Sequence, residues 1–454
     1  MSTVLDRMKK KNLLKLTSVQ LIVLYYITAI MFSTFLLYLP IAHKPGVQIS
    51  FIDALFTAVS AISVTGLTVV PTADTFSVAG YIILMFVMQF GGIGIMTLGT
   101  FIWLIMGKKI GFKERLLIRI DHNQSTFSGL VYLAKQILYL ILIIEAMGAV
   151  ILGTYFLKYY STWQEAFLQG LFASISATTN AGFDITGESL MPFAHDYFVQ
   201  FISIILIVLG AIGFPVLIEV KHYLTHKGKY PFHFSLFTKI TTTTFLALVV
   251  FGTILILLLE WNYFFNEKKW HEAFFYSLFQ SVTTRSGGLA TMDVSQLTEP
   301  TLLTMSILMF IGASPSSVGG GIRTTTFAIM CLSIFFYAKG RNTIKVFNRE
   351  IDPLDITKAF IVITTAFILC STAVTLLSYL ESFPILPLIF EVASAFGTCG
   401  LSMGITPELS WGGKLVIIVL MFIGRIGIFS FLFLIRGQEK EEKYHYPKEK
   451  IIIG

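Results

Sequence analysis

Four short polar segments, each ending in glycine and each set between long apolar runs, constrain this 454-residue chain more than anything else in it. They are residues 56–67 (FTAVSAISVTGL), 172–183 (FASISATTNAGF), 278–289 (LFQSVTTRSGGL) and 390–401 (FEVASAFGTCGL). Their glycines, Gly66, Gly182, Gly288 and Gly400, stand 116, 106 and 112 residues apart, so the chain reads as one unit repeated four times. In each unit an apolar helix leads into the polar segment and another leads away. The first helices are expected near 17–40, 131–157, 236–260 and 356–380, and the second near 79–106, 197–222, 300–336 and 414–436.

Apolar runs of this length exceed the roughly 20 residues needed to span a bilayer. Composition agrees: 13% of residues are charged, against about 25% in soluble domains. Residues 19–39 follow a basic start and lack a small-residue cleavage site, so they read as a retained helix rather than a signal peptide. The expected fold is an all-α integral membrane protein of four concatenated helix–pore loop–helix units, with pseudo-fourfold symmetry around a single pore. The units are 1–106, 107–222, 223–336 (with a broken second helix) and 337–436, followed by a tail, 437–454.

The net charge of +7 has a topological origin. Of 33 Lys and Arg, 24 fall in 1–16, 107–130, 219–239, 339–358 and 436–454, whereas the alternate loops hold only Lys44, Lys158, Lys268 and Lys269. By the positive-inside rule the basic set faces the cytoplasm, which puts both termini there in a multi-pass cell-membrane protein. No basic patch is interleaved with aromatics, so a nucleic-acid partner is not expected. Cys331, Cys370 and Cys399 build neither a metal site nor a disulfide framework. The eight histidines form no constellation with carboxylates or thiols that would suit an enzyme. The glycine clusters at 91–94 and 319–321 lie in apolar helices, so no nucleotide site is expected in this chain.

Further repeats surround the glycines. FGGIG (90–94), LGAIG (209–213), IGASP (311–315) and IGRIG (423–427) align, with Gly91, Gly210, Gly312 and Gly424 lying 25, 28, 24 and 24 residues beyond their loop glycines. Small residues there let helices approach closely. Asp53, Glu165 and Glu272 mark the starts of three short pore helices, where an acid complements the helix dipole; the fourth, near Pro387, lacks one.

The loops end in Val64-Thr65-Gly66, Asn180-Ala181-Gly182, Ser286-Gly287-Gly288 and Thr398-Cys399-Gly400, and none of these triplets contains an acid. Glycine permits left-handed backbone angles that turn carbonyls inward. Carbonyls carry no net charge, so such a ring favours a monovalent cation over a divalent one. In the third unit the second apolar stretch is interrupted by Gly312-Ala313-Ser314-Pro315 and by Gly319, Gly320 and Gly321. Proline and clustered glycines disfavour helix. Unwound backbone at membrane depth belongs inside protein or beside water, so this segment is expected under the loops; the alternative is a kinked helix with no gating role. Arg425, ionisable within an apolar helix, either anchors or blocks this segment or snorkels to the membrane surface. Arg285 is expected to bond carbonyls or acids behind the third loop. Glu145, within an apolar helix, has no assigned role.

These motifs together resemble the Trk/Ktr/HKT superfamily of potassium transporters across essentially the whole chain, most closely the membrane subunit of bacterial Ktr systems. The residues that carry the resemblance are Ser63-Val-Thr-Gly-Leu67, Asn180-Ala-Gly-Phe183, Thr283-Thr-Arg-Ser-Gly-Gly288, Ser394-Ala-Phe-Gly-Thr-Cys-Gly-Leu401 and Phe422-Ile-Gly-Arg-Ile-Gly427. The third loop departs slightly, with Ser286-Gly287 where Thr-Ala is common in the family. The resemblance implies potassium uptake through a carbonyl selectivity filter above an intramembrane gating loop. A serine in place of the first filter glycine is associated with sodium in the plant-type branch, so Gly66 implies potassium. No covalent cofactor is implied, and sodium stays open as an activator. A homodimer in the lipid bilayer is implied, controlled by a separate cytosolic ring of nucleotide-binding subunits, with the basic connectors 107–130, 221–239 and 339–349 as docking surfaces. Ile451, Ile452 and Ile453 either pack in the dimer interface or fray. The competing class is a sodium-coupled solute symporter with broken helices, which would show two inverted halves.

Overall fold

A computed structural model of the chain describes residues 17–94, 130–226 and 231–436, together with 444, 446, 447, 449, 451 and 452 of the tail. Four long apolar helices are the first helices of the four units: α1 (Ser18–Tyr38), α4 (Leu130–Phe156), α8 (Leu236–Glu260) and α12 (Pro353–Leu380). Each is long and apolar enough to cross a membrane. Each leads to a short helix: α2 (Phe51–Ser63), α5 (Trp163–Thr178), α9 (Trp270–Thr283) and α13 (Ile385–Gly397). The residues near their C-terminal ends, including Ser60, Ser176, Ser281 and Ser394, are buried. The second helices begin at α3 (Val78–Ile93), α6 (Tyr197–Ala211), α10 (Glu299–Ile311) and α14 (Trp411–Ile426).

The second helices correct one expectation. The third was expected to be the broken one, but the second and fourth break too. α6 turns into α7 (Phe214–Thr225) through 104°, and α14 turns into α15 (Ile428–Arg436) through 102°. The turning residues are Gly213 (φ +100°) and Gly427 (φ +87°), and α3 ends on Gly94 (φ +94°). These angles lie where a Cβ is disfavoured, so the last glycine of each FGGIG-type motif ends the straight segment. In the third unit the break falls three residues earlier in the motif, at Gly312 (φ +60°), and helix resumes only at α11 (Thr324–Ala338). Gly312 therefore acts as the counterpart of the breaking glycine rather than of the close-packing one. Residues 95–106 of the expected first-unit helix and connector 107–129 lie outside the described residues, as does 227–230.

The units close into a ring because each second helix packs on the short helix of the next unit: α3 on α5, α6 on α9, α10 on α13 and α14 on α2. Each seam has its own chemistry. Tyr81 meets Phe172 edge-on (6.0 Å between centroids), and Tyr197 stacks on Phe275 (4.6 Å). The backbone at Gly397 lies against the Met309 carbonyl. Lys414 closes the ring with an ion pair to Asp53 at 2.7 Å, both side chains largely shielded from solvent. Asp53 thus serves more than its own helix start, where it also accepts the Ser50 hydroxyl. The arrangement is four like units in a cycle, not two inverted halves.

Within each unit the end of the first helix, or the turn after it, holds the N-cap of the second. Glu260 accepts the Thr298 amide and hydroxyl (2.8 and 2.7 Å), and Glu381 accepts those of Ser410 (3.0 and 2.6 Å). Asp196 accepts the Tyr155 and Tyr159 hydroxyls, and Ser77 donates to the Ile41 carbonyl. Apolar side chains such as Phe32, Phe86 and Phe367 point outward, as a lipid-facing surface requires. An antiparallel hairpin, β1 (Lys345–Val346) with β2 (Arg349–Glu350), links the third and fourth units and carries exposed Arg341, Lys345 and Arg349 around it.

The approach of α14 to α13 tests this packing. A Cβ on Gly424 would overlap the Phe396 carbonyl, whereas one on Gly412 of the same helix would make an ordinary 3.4 Å contact with Leu380. Gly424→Ala should cost about 1–3 kcal/mol, and Gly412→Ala should be neutral or gain up to about 1 kcal/mol. Thermal unfolding of the purified protein in detergent measures both. Equal midpoints would mean that the close approach at Gly424 does not limit packing.

Candidate functional site

The four polar segments converge on one point. A Cβ built on Gly66 would stand 2.6 Å from the Ala181 carbonyl, and one on Gly182 would stand 2.8 Å from the Gly288 Cα. One on Gly288 would lie 2.5 Å from the Cys399 carbonyl, and one on Gly400 would run into the Thr65 carbonyl. All four loops share one backbone course. Val64, Asn180, Ser286 and Thr398 have φ of 58°, 53°, 70° and 47°; the glycine two residues later has φ of 90°, 69°, 73° or 96°. Left-handed angles at both positions turn the intervening carbonyls of Thr65, Ala181, Gly287 and Cys399 to one side. Among the described residues no donor reaches these four carbonyls.

The polar side chains of the triplets bond groups other than the ring carbonyls. Oriented to satisfy its partners, the Asn180 amide donates to the carbonyls of Ala177 (2.7 Å) and Ile207 (3.2 Å). Ser286 donates to the Gly397 carbonyl (2.7 Å), Thr65 pairs with the Ser63 hydroxyl (2.6 Å), and the Cys399 thiol donates to the Thr283 carbonyl (3.2 Å). The amides of Thr65, Ala181 and Cys399 each bond the carbonyl five residues back at 2.8 Å. In the third loop Gly287 instead bonds Thr283, four residues back, at 2.7 Å, so the unusual Ser286-Gly287 pair carries a slightly tighter turn. The short helices point their C-terminal ends at the ring, adding negative potential there. Arg285 is fully buried behind the third loop and donates to the Leu308 carbonyl, consistent with its expected place.

Residues 312–323 run without helix between the other units. On one side Ser314 and Val318 donate to the carbonyls of Ala211 (3.1 Å) and Gly210 (3.2 Å), and Phe214 donates to Ser316 (2.9 Å). In the middle the Gly320 amide donates to the Thr398 hydroxyl (2.7 Å) and, at 3.3 Å, to that of Ser286. These hydroxyls belong to the first residues of two ring triplets. Gly319 and Gly320 are needed for this approach: a Cβ on either would stand 2.6 Å from Ser286 or Thr398. Gly321 has φ +75°, and Ala313 and Gly320 bond across the loop at 3.2 Å.

Arg425 is buried rather than snorkelling. Its guanidinium donates to the Val318 carbonyl of this segment and to the Gly91 carbonyl of α3, with Gly92 at 3.5 Å. One side chain of the fourth unit therefore ties the third unit's loop to the first unit's helix end. A cavity of about 160 Å³ beneath the segment is lined by Tyr26, Pro315, Arg323 and Arg425, among others. Arg323 was not assigned a role from sequence. It donates to the Gly319 carbonyl and, at 3.4 Å, to that of Ser314, staying within its own loop. The signal that singled out Arg425, an ionisable residue amid apolar helix, applied to Arg323 too. Ser286 and Thr398 were named as ring residues, but their hydroxyl bonds to Gly320 had no sequence signal, because they join positions 34 and 78 residues apart.

A family model described as "TrkH: Cation transport protein" matches residues 6–444. The chain belongs to this TrkH family. It is 62% identical over 440 residues to Ktr system potassium uptake protein D of Bacillus subtilis (strain 168), covering 97% of this chain and 98% of that one. It is 37% identical over 448 residues to Ktr system potassium uptake protein B of the same organism, 97% of each chain. It is 35% identical over 454 residues to the potassium/sodium uptake protein NtpJ of Enterococcus hirae, 98% of this chain and 99% of that one. Among solved structures, the potassium transporter TrkH from Vibrio parahaemolyticus superposes with a TM-score of 0.73 at 21% identity, over 93% of this chain and 85% of that one, which shows a shared fold. The all-α membrane architecture expected from sequence is thus that of a TrkH-family transporter.

The Arg425 tie is open to measurement. Removing its donors leaves buried carbonyls unpaired, at about 1–3 kcal/mol each. Arg425→Met should lower the unfolding midpoint and speed hydrogen exchange of amides in 312–323. Arg425→Lys should recover part of the loss, because an ammonium lacks the planar fork. Exchange in that segment unchanged by Arg425→Met would refute the tie.

Proposed function

We propose that the chain takes up potassium through the ring of carbonyls at Gly66, Gly182, Gly288 and Gly400, with residues 312–321 as the gate and Arg425 as its anchor. The observation that carries this reading is the ring itself: four carbonyls brought together that no donor reaches among the described residues, with the polar side chains of the triplets bonded elsewhere. A cation leaving water needs replacement oxygens, and fixed carbonyl dipoles supply them without trapping it. Potassium, rather than another cation, is supported by the relatives, two of which are named potassium uptake proteins of Ktr systems. One relative's name includes sodium, which leaves room for sodium as an activator here.

In this reading the segment 312–321, bonded to Thr398 and Ser286 just under the ring, blocks ion passage. Arg425 holds it shut and places a positive charge beside the path. The protein sits in the cell membrane with both termini cytoplasmic, in a homodimer. A separate cytosolic ring of nucleotide-binding subunits moves the gate; the relatives' place in named Ktr systems fits a multi-component assembly. Exposed Arg341, Lys345 and Arg349 around the hairpin offer one docking surface; connector 107–130 lies almost wholly outside the described residues. Ile451 and Ile452 are exposed, as residues awaiting a dimer partner would be.

The decisive experiment is flux into liposomes holding this chain alone, with potassium, rubidium and sodium compared. Serine at Gly66, Gly182, Gly288 or Gly400 has no room for its Cβ and strains a left-handed backbone. Each variant should therefore lower potassium affinity and admit more sodium. An unaltered potassium-to-sodium preference in all four would sink the carbonyl-ring reading. Deleting 313–319, or replacing Arg425 with Ala, should raise basal potassium leak per folded protein. A fall in flux in properly folded deletion variants would make the segment structural instead of a gate.

A further inference from the structure

Glu145 lies near the middle of α4, only 4% exposed, in a helix that is apolar throughout that stretch. Its Oε2 accepts a hydrogen bond from the Gln89 side-chain amide of α3, which belongs to the preceding unit. Among the described residues two buried oxygens then have no partner: Oε1 of Glu145 and Oε1 of Gln89. Both belong to the same pair, and both are acceptors. An ionised carboxylate would leave each of them orphaned at a cost of several kcal/mol in apolar surroundings.

Among the described residues no cation forms an ion pair with Glu145. Among the described residues, the helices packed on α4 are α3, α5, α6 and α7. Val318 of the unwound segment also packs there, and Arg323 of that segment is bonded to Gly319 and Ser314. The titratable groups of these helices are Tyr81 on α3, Glu165 on α5, Tyr197 on α6, and Glu219, Lys221, His222 and Tyr223 on α7. Lys221 bonds Gln136, and Tyr197 bonds His271. On α4 itself Lys135 is exposed and ten residues away, about 15 Å along the axis. Arg425 is engaged with Val318, Gly91 and Gly92.

We propose that Glu145 binds a proton and forms a two-bond acid–amide ring with Gln89. The Gln89 N–H donates to Glu145 Oε2, and the Glu145 O–H donates to Gln89 Oε1. One proton, taken from solvent, satisfies both orphaned oxygens and leaves the pair neutral. The ring joins the first unit to the second at a helical turn that also carries Gly91 and Gly92, the carbonyls that receive Arg425. Glu145 is in this way a positioning residue for the Arg425 anchor. That last step rests on the gate reading above; the proton on Glu145 does not.

Infrared spectroscopy of the full chain in liposomes tests the proton directly, through the carbonyl stretch of a protonated carboxylic acid. The band should be present at neutral pH, vanish in Glu145→Gln and shift in Gln89→Leu, which keeps the acid but removes its partner. Uptake supplies the second readout. Glutamine at 145 can place one N–H toward Gln89 Oε1 and its oxygen toward the Gln89 N–H, so Glu145→Gln should transport like wild type. Glu145→Ala should lose gate control, seen as a basal leak raised about fivefold, a ~1 kcal/mol shift in the closed state. A band insensitive to both substitutions overturns the proposal. So does a Glu145→Gln protein as leaky as Glu145→Ala while Glu145→Asp behaves as wild type, because the site would then need a negative charge and bind a cation. If the band behaves as expected but Glu145→Ala does not leak, the proton stands and the positioning role of Glu145 falls, while the gate reading is judged by the 313–319 deletion and Arg425→Ala.

Discussion

Backbone groups stranded at membrane depth need partners, and this requirement organises the whole molecule. Four short helices end in the interior, and four second helices stop or bend there. Each such end exposes amides and carbonyls where no lipid can bond them. The amides of Thr65, Ala181 and Cys399 fold back onto their own helices, the Gly320 amide finds a hydroxyl, and Arg425 collects carbonyls from two units. Among the described residues the carbonyls of Thr65, Ala181, Gly287 and Cys399 receive no donor, and they lie together. In the proposed function, the bonds the protein does not make are the ones the ion makes.

Much of this was legible in the sequence. The repeat of glycines and apolar runs located all four first helices and all four short helices within a few residues, because their period and polarity are local properties. The ring triplets were legible for the same reason: one loop conformation, used four times, leaves one motif four times. The breaks at Gly213 and Gly427 were missed because a single glycine in an apolar helix usually costs little and does not announce a bend. The bend is decided by what the next segment packs against. Gly312 was aligned with the wrong partner for a related reason, since the third copy breaks earlier than its sequence offset implies.

The connections across units were not legible. Lys414 to Asp53, Arg425 to Gly91, and Gln89 to Glu145 join residues 361, 334 and 56 positions apart. Each depends on which unit neighbours which, and a repeat does not specify its own cyclic order. Arg425 shows the difference well. Its charge within an apolar helix marked it as a candidate site residue, but only the fold reveals that it is buried and bridges the first and third units from the fourth. Glu145 looked unexplained for the same reason: its partner belongs to another unit.

The ring closes through Lys414 and Asp53, so its first short helix waits for a neighbour supplied by the last quarter of the chain. A ribosome must deliver some 361 further residues before that seam can form. Until then α2 and its polar loop sit in the membrane with one flank uncovered, and no complete cavity exists. Ring closure therefore waits on nearly the whole chain. In return, one continuous chain lets each quarter differ. Among the described residues, only the third carries a long unwound segment, and the fourth carries the arginine bonded to it, a division of labour that four identical copies could not encode.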